Sequence, residues 1–268
     1  MQRNTPMKID SDLDLFKECL FDSLTTPRLM LNYLDSLATI EDDNLQKRLL
    51  KELIHSYVML EKRVDALLKN TLPEMVAEEI KYQNAFAPRH YECTILFSDF
   101  VGFTRLAEKI SGERLIHALD RLFTGFDEIV DRHKGTKIKT IGDAYMAVFG
   151  APIRIEGHAL LAVRSAIELV DYLNAFNRET DPPFHVRIGI HTGNVMAGVV
   201  GRDRMQFDVF GDDVNIASRF ESSGEAGRIN VSETTYLQTK EHIEFEERGL
   251  VALKNKASMR AYFVKGNR

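Results

Sequence analysis

Thr94-Ile95-Leu96-Phe97-Ser98-Asp99-Phe100-Val101-Gly102-Phe103-Thr104 is an apolar run that stops at an aspartate and enters a glycine-containing turn. The run reads as a buried strand, and the turn opens a helical pattern that continues from Leu106 to Arg132. A strand feeding a helix in this way offers backbone N–H groups and a helix N-terminus, both suited to phosphate. Asp99 taken alone is equally well explained as a helix cap.

Downstream, Ile138-Lys-Thr-Ile141 and Tyr145 to Phe149 are β-like. His158 to Phe176 follows as an amphipathic helix, Val186 to His191 and Val195 to Val200 as strands, Asp213 to Glu221 as a helix, and short strands close near Tyr262 to Val264. Repeated βα and ββα units imply a mixed sheet covered by helices, an α/β or α+β domain. Upstream, Asp12 to about Lys81 is helical in pattern, with no glycine and prolines only at Pro27 and Pro73. Leu50, Leu53, Tyr57, Leu60, Val64 and Leu67 alternate by three and four residues, the spacing of a short parallel coiled coil. A single amphipathic helix packed on its own domain shows the same spacing. Pro73 ends or kinks this helix, Met75 to Lys81 resumes it, and Ala85 to Arg89 reads as a linker. The expected organisation is an N-terminal helical segment at 1–45, a helix or coiled-coil linker at 46–84 and a larger domain at 85–268.

The 268 residues, 44% hydrophobic and 28% charged, suit a globular domain with an accessory segment. A formal charge of −5 lacks the basic footprint that nucleic-acid binding needs, so no nucleic-acid partner is expected. Cys19 and Cys93 stand in unrelated contexts and build neither a disulfide framework nor a zinc spacing. No apolar run approaches the roughly 18 to 20 residues of a membrane span, and the polar start does not read as a signal peptide. These features lead to the expectation of a cytoplasmic chain without a transmembrane segment.

In Lys139-Thr-Ile-Gly142-Asp143, Gly142 is free to take the positive φ of a hairpin turn, and Gly-Asp is also ordinary turn chemistry. Neighbouring strands would bring Asp143 beside Asp99, and two carboxylates that close repel unless a cation joins them. Magnesium accepts one or two carboxylates together with phosphate oxygens and water. In Gln206-Phe-Asp208-Val-Phe-Gly-Asp-Asp213-Val-Asn215-Ile-Ala-Ser-Arg219, Asn215 and Arg219 stand four apart and share a helix face. An amide and a guanidinium together suit an anionic, oxygen-rich ligand, although a solvated face with Arg219 paired to Asp212 or Glu221 is the plainer reading.

Phe97 to Thr104, Ile138 to Asp143 and Phe207 to Arg219 resemble, in order and spacing, the three signature stretches of class III nucleotide cyclases. The resemblance covers roughly residues 90 to 265. It implies an α+β domain with a ferredoxin-like βαββαβ core and added strands, and active sites shared across a head-to-tail homodimer. By the same resemblance Asp99 and Asp143 are the metal carboxylates, with the Phe100 carbonyl completing one shell, for two magnesium or manganese ions per site. Gly102, Phe103 and Thr104 line the phosphate turn. Lys139 and Asp208 read the purine: lysine donates to adenine N1 and aspartate accepts from the exocyclic amine, which points to ATP. Asn215 holds the ribose, and Arg219 stabilises the transition state. Lys254, in Leu253-Lys-Asn-Lys-Ala257, resembles the family's terminal phosphate-binding lysine, with Lys256 as the alternative. The implied activity is an adenylate cyclase making cyclic AMP and pyrophosphate. Rival readings are a guanylate cyclase with relaxed base recognition and a non-catalytic cyclase-like module; assays with ATP and GTP separate them.

Overall fold

The computed structural model describes residues 35, 37–40, 42–202, 204–252 and 257–268. The chain divides into two units, Met1–Asn70 and Thr71–Arg268. Most of the expected N-terminal helical segment, residues 1–34, lies outside the described residues, as does Lys254 with its neighbour Lys256.

In the first unit α1 (Asp43–Lys69) starts at Asp42, whose carboxylate accepts from the N–H groups of Asn44 and Leu45. Such a cap satisfies donors that the helix itself leaves unpaired. Leu49 and Leu53 are buried in a small cluster with Leu37. Leu50, Tyr57, Leu60, Val64 and Leu67 are exposed, so Leu53 alone of the six seam residues is buried. Helix α2 (Glu74–Gln83) follows Pro73, and Asn84 ends it in the left-handed conformation. It falls within the second unit, with Val76 and Ala77 buried.

The second unit continues with β1 (Arg89–Phe100), α3 (Phe103–Ala107), α4 (Gly112–Arg132), β2 (Thr136–Ile141), β3 (Ala144–Phe149), α5 (His158–Phe176) and β4 (Val186–Val200). This is the βαββαβ order. Then come β5 (Gln206–Phe210), α6 (Asp212–Ser222), β6 (Ile229–Ser232), α7 (Glu233–Thr239), β7 (Ile243–Val251) and β8 (Met259–Asn267). Eight strands among the described residues form one sheet in the order β2-β3-β1-β4-β6-β8-β7, with β5 paired to β4. Among the described residues only the β4–β6 pair is parallel.

Two expectations need correction. Leu106 to Arg132 is not one helix: α3 ends at Ala107, and Ser111 starts α4 by accepting from the N–H of Arg114. The two strands expected over 186–200 are one strand, because Thr192-Gly193-Asn194 stays paired to Thr94-Cys93-Glu92 of β1.

The main core lies where Leu96 and Phe100 of β1 and Ile188 and Ile190 of β4 meet Leu122 and Phe126 of α4 and Ala166 and Leu169 of α5. Phe100 packs among Phe103, Phe123, Phe126 and Phe184, with ring centroids 5.5 to 6.5 Å apart. Side chains alternate along a strand, so Phe100 in the core sends Asp99 to the other face. Helix α6 reaches β4 closely at two glycines: a Cβ on Gly189 would stand 2.0 Å from the Glu221 nitrogen, and one on Gly193 would stand 2.3 Å from the Asp213 carboxyl carbon.

Candidate active site

Asp99, the penultimate residue of β1, lies opposite Arg187 of β4, and Ser98 lies opposite Tyr145 of β3. The β2–β3 hairpin closes from Ile141 to Ala144, with Gly142 at φ +63° in its first central position. That left-handed conformation is what a two-residue hairpin turn asks of the position, and it delivers Asp143 to the end of the sheet where β1 delivers Asp99. Burial raises the Asp143 pKa above the ordinary carboxylate range, and the neighbouring charge of Asp99 adds to the rise. Two carboxylates gathered against their mutual repulsion are a donor set suited to a hard divalent cation. Among the described residues no group of three or more His, Cys, Asp and Glu side chains is arranged to hold a metal by itself. A carboxylate pair can hold such a cation when phosphate oxygens and water complete its shell, and these two residues fit that role.

Arg187 is the residue the motif reading missed. Its Nη2 donates to Asp99 Oδ2 at 2.8 Å, and its Nε donates to Glu221 of α6. Burial works against the charge on Arg187, but the two carboxylates outweigh it and raise its pKa further. Glu221 is itself buried; burial raises its pKa and Arg187 opposes the rise. The carboxylate pair therefore sits beside a fixed positive charge held from behind by Glu221. An arginine flanked by the apolar Val186 and Ile188 was the available signal. Glu221, offered by the sequence as a partner for Arg219, is bound to Arg187 instead.

Lys139 and Asp208 lie 69 positions apart, on β2 and β5, strands that are not hydrogen-bonded neighbours. Their side chains nevertheless meet, Lys139 Nζ donating to Asp208 Oδ2 at 2.5 Å. Asp208 is 8% exposed, and its other oxygen accepts from the Val209 N–H. A donor and an acceptor are thus set side by side. Asn215 and Arg219 stand on α6, Asn215 exposed with its amide near the Gly211 carbonyl at 3.4 Å, Arg219 half-buried. Phe100 ends β1, Gly102 takes φ +72° at the start of α3, and Phe103 and Thr104 form its first turn. The ring of Phe100 is in the core while its backbone ends the strand, so ring identity is a packing matter separate from any role of the carbonyl.

A βαββαβ sheet with a carboxylate pair at one strand end, a helix bearing an amide and a guanidinium, and a part-buried Lys–Asp pair defines a class III nucleotide cyclase catalytic domain. Residues 86–266 match the family described as the adenylate and guanylate cyclase catalytic domain, and the chain belongs to that family. An adenylate cyclase of Mycobacterium tuberculosis is 38% identical over 208 residues, which cover 77% of this chain and 47% of that protein. The chain thus spans about half the length of that curated relative. Among solved structures, the guanylate cyclase domain of RhGC from Catenaria anguillulae, in complex with GTP, is 35% identical with a TM-score of 0.65, covering 67% of this chain and 100% of that one. The adenylyl cyclase CyaB from P. aeruginosa is 31% identical with a TM-score of 0.66, covering 68% and 98%. Similarity therefore extends to adenylate and guanylate cyclases alike.

Proposed function

We propose that the chain is an adenylate cyclase that converts ATP to 3′,5′-cyclic AMP and pyrophosphate at sites shared between two copies. The observation that supports ATP is the Lys139–Asp208 pair. An ammonium and a carboxylate at hydrogen-bond distance match the N1 acceptor and exocyclic amine donor on adenine, whereas guanine presents the reverse pattern at those positions. In the absence of nucleotide the pair satisfies itself, and the base takes each partner in turn.

Asp99, Asp143 and the Phe100 carbonyl would hold two divalent cations, magnesium or manganese. When bound, such ions supply Lewis-acid activation of the ribose 3′-hydroxyl and neutralise charge on the polyphosphate. In the reaction the 3′-oxygen forms a bond to the α-phosphorus, the bond from that phosphorus to the pyrophosphate oxygen breaks, and the hydroxyl proton passes to solvent water. Asn215 orients the ribose. Arg219 places a planar fork of donors against charge that grows at the phosphates. Arg187 keeps Asp99 oriented for its ligand. Lys254 is assigned to the terminal phosphates by its motif alone.

Side-by-side turnover of ATP and GTP with Mg²⁺ or Mn²⁺ tests the reading, with ATP expected to be strongly preferred. Exchanging Lys139→Glu together with Asp208→Cys should weaken ATP use and permit some GTP use. A double variant as selective for ATP as the parent would remove the base-reading assignment.

A further inference from the structure

Helix α6 carries Asn215 and Arg219, yet its own start is weakly built: Gly211 stands at φ +143° and supplies no side-chain cap. The anchoring comes from the next turn. Asp213 Oδ2 accepts from the N–H of Asn194 at 2.7 Å, and Asp213 Oδ1 lies 3.0 Å from His191 Nε2. The carboxyl group rests directly on Gly193, the one residue type that leaves it room on β4. His191 is 3% exposed, and its Nδ1 lies 2.8 Å from the Ser232 hydroxyl of β6. A carboxylate only accepts, so Nε2 carries the proton and Nδ1 accepts from Ser232. The same imidazole stacks on Phe220, the residue after Arg219, with centroids 6.2 Å apart and ring planes 4° from parallel. One histidine of β4 therefore grips α6 at two points, Asp213 in its first turn and Phe220 in its third, and Asn215 and Arg219 lie between them.

We propose that Asp213, held by His191 and seated on Gly193, is a positioning residue that sets the reach of Asn215 and Arg219 toward substrate. The proposal rests on the reading above that those two residues act on the ribose and the phosphates. Asp213 touches neither. It acts by fixing the roll and height of α6 on β4, and a shift on the order of 1 Å at a reacting centre can cost about 10²-fold in rate. The metal carboxylates and the base-reading pair come from β1, the β2–β3 hairpin and β5, so most ground-state contacts to the nucleotide, the ribose contact of Asn215 excepted, are independent of this anchor.

The test is a set of steady-state measurements on the full chain, with thermal melts to verify folding. Asp213→Ala should lower kcat by about 10- to 100-fold with KM changed by less than about threefold, as expected when an interaction made only in the transition state is removed. Asp213→Asn should recover most of the rate, because its amide oxygen still accepts from Asn194 and its nitrogen can donate to the other tautomer of His191. Gly193→Ala, whose new methyl group would displace the carboxyl, should reproduce the kcat loss without altering Asp213, and it carries the test if Asp213→Ala fails to fold. Adding Asp213→Ala to Arg219→Ala should cost clearly less than the product of the two separate fold-losses, since the part carried by a misplaced arginine is already gone and only the Asn215 part remains. Additive losses, or full kcat in folded Asp213→Ala or Gly193→Ala, would overturn the positioning role while leaving Arg219 assigned. Near-normal kcat in Arg219→Ala would instead remove the assignment of Arg219, and the positioning role with it.

Discussion

Asp143 shows how a functional arrangement is held at a cost to the fold. Burial first, and Asp99 second, raise its pKa, so the folded chain favours the protonated form more than the unfolded chain does. The stability tied to this group is complete below the unfolded carboxylate range near 3.9 and is lost as pH rises through the higher folded value. At neutral pH, without metal, the ionised pair is therefore a liability. Asp143→Asn should melt at the same temperature as the metal-free parent or higher, lose the stabilisation that Mg²⁺ or Mn²⁺ confers, and fall in turnover by at least about 10²-fold. Asp99→Asn should lose turnover to a similar extent, and it also deprives Arg187 of one carboxylate partner. Melting curves with and without metal, beside turnover assays, check both. Near-normal metal-dependent activity in either folded variant would end the two-aspartate assignment.

At the scale of elements, α1 presents Leu50, Tyr57, Leu60, Val64 and Leu67 as an exposed apolar seam at coiled-coil spacing. A second copy of the chain is the proposed partner for it. A chain starting at Thr71 should then dimerise more weakly and lose rate at low protein concentration, as sedimentation and dilution assays would register. Equal dimerisation and activity at every concentration would exclude the seam as a clamp. Two other elements carry histidines drawn out of solvent, the half-buried His158 at the start of α5 and the buried His191 in β4. Burial lowers both pKa values, outweighing Glu92 for His158 and Asp213 with Asp212 for His191. At these two groups the folded chain therefore binds fewer protons than the unfolded chain, and the stability they contribute is complete above about pH 6.5 and is lost as pH falls through their lower folded values. The melting temperature should drop between about pH 7.5 and pH 5.5, and His191→Gln should flatten the slope. An unchanged slope in that variant would show that His191 does not contribute to it.

For the whole molecule the proposed dimer divides the labour: metal aspartates from one copy face Lys139, Asp208, Asn215 and Arg219 from the other. Two-fold symmetry makes the two sites equivalent. Asp99→Asn and Arg219→Ala homodimers should each be nearly inactive, each change costing about 10²- to 10³-fold. After subunit exchange, heterodimers hold one intact site and one doubly damaged site, so activity should reappear on mixing. A rate equal to the average of the two variants, with exchange verified by tagged pull-down, would locate the site within one chain. Among the described residues no helix is long and apolar enough to cross a membrane.

Thr94 to Phe97 as a strand, the turn at Gly142 and the helix bearing Asn215 and Arg219 were legible because each is set by local rules: an apolar run, a positive φ, a spacing of four. The three signature stretches were legible as a family pattern for the same reason, being short and locally complete. The break between α3 and α4 at Ser111 was misread because amphipathic periodicity runs through it, while the cap that stops it is a single side-chain hydrogen bond. The continuity of β4 across Thr192 to Asn194 depended on β1 pairing along its whole length, and a glycine in isolation reads as an interruption. Arg187 beside Asp99, Lys139 against Asp208 and Asp213 on Gly193 join residues 88, 69 and 20 positions apart. Local sequence determined which side chains were available and in which element each would stand. Only the tertiary structure decided which of them meet, because contacts between distant segments follow from sheet order and helix docking, which no local spacing encodes.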